Sequence, residues 1–324
     1  MKVEGLEMYY GTSAGEVKAV DGINFELESG EVMGIVGESG CGKSSLASTL
    51  LKLLPSNARI AQGTIMLEGV DLVPMRDADM RSKVRWTKIA LVPQGAMNSL
   101  NPIFRVGDQI VEAIMIHSDV SKSEAKARTT ELFRLVGVDP GRAKNYPHEF
   151  SGGMKQRAMI AMALSLSPKI LIADEPTTAL DVIVQAGIIQ LLLSISKEFR
   201  TAIILISHDL ALVAQMSRKV AIMYAGKFVE YGASEKVYLS PLHPYTLGLE
   251  RAFADIRKGR EPLTSIPGSP PDLIDPPTGC RFNPRCSFAK DICRTETPEL
   301  LEAEPGHFVA CHFWKDVKQA GASA

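Results

Sequence analysis

The sequence predicts an α/β fold with a largely parallel core sheet, and three observations carry that prediction. Four short apolar runs read as buried strands: EVMGIVG at 31–37, KIALVPQ at 88–94, KILIADE at 169–175 and TAIILISH at 201–208. Each gives way to glycine or polar residues and then to a helical pattern, the alternation expected of parallel sheets. Residues 1–30 and 62–73 instead alternate apolar and polar positions, as antiparallel strands at a sheet edge do. From about 104 to 166 the pattern turns helical, punctuated by Gly137 and Pro147, and marks a helical subdomain.

The 324 residues allow one large domain or two modest ones. The texture changes near residue 254. Segment 262–280 holds six prolines and two glycines and reads as an extended strap. The chain therefore divides into 1–254, one large α/β domain, and 255–324, a strap and cysteine-rich tail with a small, polar, frayed end. Hydrophobic residues at 45% and charged residues at 23% set aside disorder for the bulk of the chain. A net charge of −1 lacks the basic surplus of a nucleic-acid binder. No run approaches the roughly 18 apolar residues of a membrane span, and the first ten residues include acidic ones where a leader peptide would have its apolar core. The expectation is a cytosolic protein that would reach a membrane only by docking to subunits that span it.

The segment GESGCGKS at 37–44 follows an apolar strand, opens a helical pattern and matches G-x-x-x-x-G-K-[S/T] in full. Gly37, Gly40 and Gly42 let the backbone curl so that successive N–H groups face phosphate oxygens, and the helix start adds its dipole. Lys43 can reach the β- and γ-phosphates and Ser44 can ligate Mg²⁺; Ser39 and Ser45 border the same loop. Cys41 reads as a small filler rather than a reactive thiol. A second acidic site ends the strand at 169–175. Adjacent carboxylates there are costly without a nearby cation. Asp174 suits the Mg²⁺ shell, and Glu175, on the opposite side, suits orienting or deprotonating water.

With these in place, FSGGMKQR at 150–157 resembles the signature of ATP-binding cassette (ABC) ATPases, usually L-S-G-G-Q, and it lies just before the acid strand as in that family. The resemblance implies a phosphate-loop NTPase of ABC type with a parallel core sheet, an antiparallel edge subdomain and a helical subdomain. It implies that Ser151, Gly152 and Gly153 offer N–H groups to the γ-phosphate of ATP held by a facing subunit. Met154 stands where glutamine is commonest, which leaves those donors unaffected. By the same resemblance Tyr10 stacks on adenine, although a sheet-edge tyrosine reads as well from the residues alone. Gln94 senses Mg²⁺ and γ-phosphate, Asp181 crosses to the partner, and His208 is the switch histidine. Glu175, His208, Gln94 and Lys43 are thus the expected catalytic set, and Ser44, Gln94 and Asp174 the expected Mg²⁺ ligands. Repair-type members with a long coiled coil and translation-type members with two cassettes do not fit a chain of this length and spacing.

Three further features resemble the oligopeptide/dipeptide importer ATPases, a branch that also takes nickel and oligosaccharides: 95–110 after Gln94, HPYT at 243–246, and the tail. This branch implies a non-identical second ATPase subunit, two transmembrane permease subunits, an extracytoplasmic solute-binding protein and a peripheral place on the cytoplasmic face of the membrane. The tail carries Cys280, Cys286, Cys293 and Cys311 without a C-x-x-C knuckle. In a reducing cytosol they read as metal ligands, and spacing alone fits zinc and an iron–sulfur cluster equally. His307 and His312 could substitute in a zinc site. The resemblance favours a 4Fe-4S cluster that staples the tail.

Overall fold

The computed structural model describes residues 1–252 and 266–322, so the expected boundary at 254/255 and the first residues of the strap lie outside the described residues. The chain divides into two compact units. One comprises Met1–Leu27, Met33–Val73 and Ser207–Ala324; the other comprises Glu28–Val32 and Pro74–Ile206.

In the first unit, strand Lys2–Thr12 lies between Gly15–Glu26 and Ala58–Leu67, with Val70–Asp71 beyond, all antiparallel. The tight turn after Thr12 pairs the first two strands, and Ala58–Leu67 returns to the free edge of Lys2–Thr12, so the alternating segments form a sheet of their own instead of extending the parallel one. Val3, Leu6, Met8, Val20, Ile23 and Phe25 form its buried face. The unit's other sheet pairs Met33–Val36 in parallel with Lys219–Tyr224, which turns back on Lys227–Ala233. Strand Val32–Val36 is buried along its whole length, as its unbroken apolar run requires.

The tail completes this sheet. His307–Val309 pairs antiparallel with Lys227–Ala233, and Leu301–Glu304 lies outside it. The pairing carries a buried polar anchor: Glu230 accepts the N–H groups of Leu242 (2.8 Å) and His243 (2.9 Å) and meets His307 Nε2 at 2.7 Å. A Glu230 side chain with no exposed surface is tolerable because two backbone N–H groups donate to it and the His307 ring lies within hydrogen-bond distance. The polar end expected to fray is instead a helix, Trp314–Ala322, whose Val317 is fully buried. Its small residues permit close packing, with Gly321 facing Leu247 of helix Pro244–Ala252.

The second unit holds three parallel strands in the order Ala202–Ser207, Ile170–Asp174, Ile89–Val92, the last residue of the first of these belonging to the other unit. Around them lie helices Val106–His117, Lys122–Leu135, Gly152–Ala163 and Val182–Phe199. The segment from about 104 to 166, read from the sequence as helical, lies within this unit. Helix Lys122–Leu135 begins in a capping box, Ser121 accepting from the Glu124 N–H (3.3 Å) and Glu124 from the Ser121 N–H (2.8 Å). Val182–Phe199 has the length and apolar composition of a membrane span, which the sequence reading did not anticipate. It buries Ile188, Ile189, Leu191, Leu192 and Ile195, which with Ser196 make a third of its residues.

The ring of His243 is fully buried, and its Nδ1 accepts the Tyr245 N–H (3.1 Å). Burial holds this imidazole down to about 3, against 6.5 for an ordinary histidine. The unfolded chain takes up this proton as pH falls through 6.5 while the folded chain refuses it until about 3, so stability declines across that window. Between pH 7 and pH 5 the loss attributable to His243 is about 2 kcal/mol. Urea midpoints measured at both values should differ accordingly, and the difference should shrink in His243→Asn, which keeps an acceptor but does not titrate.

Candidate functional site

In the first unit the loop 37–42 joins strand Val32–Val36 to helix Lys43–Leu50. Gly42 adopts φ +110°, and a Cβ there would stand 2.1 Å from the Ala19 carbonyl oxygen, so only glycine fits. The curl buries Lys43. Its ammonium donates to the carbonyls of Gly37 (2.6 Å) and Glu38 (2.9 Å), with Cys41 Sγ at 3.7 Å. All three partners are neutral, and a buried cation held this way gains most from an anion. The residues present therefore fit a triphosphate. Cys41 is buried, and burial pushes its thiol pKa up despite the nearby Lys43, which leaves it the neutral filler expected. Gly40, Ser39 and Ser44 stay exposed along the loop. Tyr10, on strand Lys2–Thr12, donates its hydroxyl to Ser45 Oγ (3.1 Å), which ties the expected adenine-side ring to the loop's helix.

Three residues around this loop escaped the sequence reading. Glu38 receives both arms of the Arg285 guanidinium, at 2.6 and 2.9 Å, and its N–H donates to the Tyr245 hydroxyl at 2.7 Å. Tyr245 belongs to the HPYT segment, but no motif identifies Arg285. His208, also in this unit, is exposed after strand Ala202–Ser207, and Asp209 behind it caps helix Leu210–Met216 by accepting the Leu212 N–H (2.9 Å).

The second unit gathers the acidic and signature elements. Asp174 is buried at the end of its strand, whereas Glu175 turns into left-handed backbone at φ +47°. Such a conformation costs a non-glycine residue about 1–3 kcal/mol and persists where its surroundings fix it. Here the Glu175 N–H bonds the Ile206 carbonyl (2.9 Å), and its carboxylate accepts from Gln94 Nε2 (2.9 Å) and the Thr178 hydroxyl (3.0 Å). Two residues expected to act on the attacking water and on Mg²⁺ are thus in direct contact. Ser151 caps helix Gly152–Ala163 by accepting the Met154 N–H (3.3 Å). Gly153 lets that helix meet its neighbour: a Cβ would lie 2.6 Å from Val184 Cγ1. Asp181 caps the neighbouring helix through the Val184 N–H (2.9 Å), leaving Val182 and Ile183 about four-fifths exposed at 80% and 84%.

Cys280, Cys286, Cys293 and Cys311 line one cavity with Phe282, Phe288, Phe313 and His312. Burial pushes the Cys286 thiol up to about 11 and the Cys311 thiol up to about 12. Among the described residues no group of three or more His, Cys, Asp or Glu is placed to hold a single metal ion. His307, considered as a zinc ligand, is committed to Glu230 and does not line the cavity; His312 lines it but meets the Glu296 carbonyl at 3.1 Å. The donors thus share a cavity without forming a one-ion site.

Comparison with known proteins agrees with these features. The ABC transporter family profile matches residues 20–178, and that of the oligopeptide/dipeptide transporter C-terminal region matches 229–293. The chain is 46% identical over 313 residues to the oligopeptide transport ATP-binding protein OppD of Escherichia coli, covering 96% of this chain and 92% of that one. It is 42% identical over 318 residues to the dipeptide transport ATP-binding protein DppD of Caldanaerobacter subterraneus, covering 98% and 97%. A solved cassette from Clostridium perfringens, described as part of an ABC transporter complex, superposes with a TM-score of 0.63 at 28% identity, covering 73% of this chain and 89% of that one. The chain belongs to the ATP-binding proteins of ABC transporters, in the oligopeptide/dipeptide group, and is an ATPase.

Proposed function

We propose that this ATPase energises the import of oligopeptides or dipeptides from the cytoplasmic face of a cell membrane. The observation that carries the reading is the oligopeptide/dipeptide C-terminal region at 229–293, joined to near full-length likeness to peptide transport ATP-binding proteins. Two permease subunits would span the membrane, a solute-binding protein would deliver the cargo outside, and a second, non-identical cassette would face this one. Apolar side chains left exposed support such docking: Val182 and Ile183 beside Asp181 toward the second cassette, and Ile103 and Phe104 after Gln94 toward the permeases.

The roles follow from the chemistry of each group. The loop Gly37–Ser45 and the Lys43 ammonium bind the phosphates of ATP, with Tyr10 at the adenine. Ser44, Asp174 and Gln94 supply oxygen ligands suited to Mg²⁺. Glu175, with Gln94 bonded to its carboxylate, would take the proton of the attacking water, and His208 would contact the γ-phosphate. Ser151, Gly152 and Gly153 offer donors to the nucleotide of the facing cassette, and Asp181 reaches across to it.

On the family resemblance, the tail's four thiols would hold a 4Fe-4S cluster, with zinc as the alternative. What supports this reading is that all four thiols line one cavity and that four Cys thiolates are the usual ligand set of such a cluster. Bound there, it would cross-link tail segments too short to make a core of their own.

Replacing Glu175 by Gln should leave ATP binding intact and slow hydrolysis by roughly 10²–10⁴-fold in single-turnover assays; unchanged turnover would remove the general-base role. ATPase activity of the assembled transporter, measured with peptides, oligosaccharides or nickel presented by the binding protein, should rise with peptides. Stimulation by another solute class would reassign the cargo. Iron, sulfide and zinc analysis of anaerobically purified chain should return iron and sulfide, whereas stoichiometric zinc without iron would sink the cluster.

A further inference from the structure

We propose that Arg285, from the cysteine-rich tail, is a positioning residue of the phosphate loop: it fixes and neutralises Glu38 so that the loop accepts a triphosphate. This rests on ATP binding at that loop. Arg285 lies 247 positions from Glu38 yet grips its carboxylate with two parallel hydrogen bonds, Nη1 at 2.6 Å and Nη2 at 2.9 Å. The rest of the guanidinium is committed as well. Its Nε donates to the Pro267 carbonyl (2.8 Å), and its plane lies against the rings of Tyr224 and Phe282, at 5.8 and 5.9 Å from their centroids. With 5% of the side chain exposed, this fork has one place to be.

The clamped residue is no bystander. The Glu38 carbonyl receives the Lys43 ammonium at 2.9 Å, and the Glu38 N–H is held by the Tyr245 hydroxyl at 2.7 Å. Arg285, Glu38 and Lys43 therefore form one continuous run of hydrogen bonds from the tail to the lysine that meets phosphate. Electrostatics gives the run its purpose. A carboxylate on the second residue of a phosphate loop repels the incoming anion unless a cation cancels it, and Arg285 is that cation. A staple holding the tail in place would need no such address; a hydrophobic contact would serve it at lower desolvation cost.

Equilibrium titration of the full-length chain with MgATP, alongside a thermal melt of each variant, tests the assignment. Arg285→Met should bind MgATP roughly tenfold more weakly, a coupling of ordinary size. Arg285→Lys, which keeps the charge without the fork, should lose less. The double variant Glu38→Gln/Arg285→Met should bind tighter than Arg285→Met alone, because it leaves no unpaired carboxylate beside the phosphates. An Arg285→Met chain with a lowered Tm and a wild-type Kd would mark a mere tail staple and overturn the assignment. So would a double variant no tighter than Arg285→Met. Wild-type chain that binds no MgATP would instead overturn the nucleotide site itself, and this inference with it.

Discussion

A buried ammonium with only neutral partners sets the terms for the first unit. Lys43 can be kept out of water only because the loop wraps its own carbonyls around Nζ, and that wrap needs the left-handed backbone of Gly42. The loop in turn must rest on something that leaves no room for a side chain. Ala19, on strand Gly15–Glu26, and Met223, on strand Lys219–Tyr224, supply that floor. The antiparallel sheet and the parallel strands of this unit thus meet beneath the phosphate loop, and the identity of residue 42 follows from both.

The same floor explains why the tail is integral to the fold. Lys219–Tyr224 is flanked by Lys227–Ala233, whose outer edge would expose unpaired N–H and C=O groups. His307–Val309 covers that edge, and the Glu230–His307 contact fixes its register from inside. Tyr224, Tyr245 and Phe282 then pack as an aromatic cluster, with ring centroids 4.7 to 5.4 Å apart, joining the floor strand, the HPYT helix and the tail. Each ring comes from a different segment, so none of the three segments can shift alone.

What was legible in the sequence was local. The loop 37–44, the acid pair at 174–175 and the Ser151 cap are runs of neighbouring residues whose backbone chemistry repeats wherever the run occurs, and the four buried strands announce themselves by continuous apolar composition. The contact of Gln94 with Glu175 spans 81 positions and that of Arg285 with Glu38 spans 247, distances over which no pattern of residue types constrains geometry. His307 shows the same limit from the other side: as a letter beside cysteines it is a plausible ligand, and only the strand pairing reveals that Glu230 has claimed it. The polar C-terminus looked frayed because composition records solubility, whereas helix Trp314–Ala322 is held by tertiary contact through Val317.

One turn joins the two chemistries of the first unit. Asn283–Arg285 is a single 3₁₀ turn, and Cys286 follows it directly. Asn283 anchors the turn by donating its side-chain amide to the carbonyls of Cys280 (2.8 Å) and Thr278 (3.0 Å). Arg285 projects from this turn onto Glu38, while Cys280, Asn283 and Cys286 border the thiol cavity. Arg285 and Cys286 are thus adjacent residues of one short backbone segment, one facing the phosphate loop and the other the thiol cavity. That segment presents a guanidinium to the phosphate loop and lends Asn283 and Cys286 to the thiol cavity, so the loop and the cavity share a border in the fold.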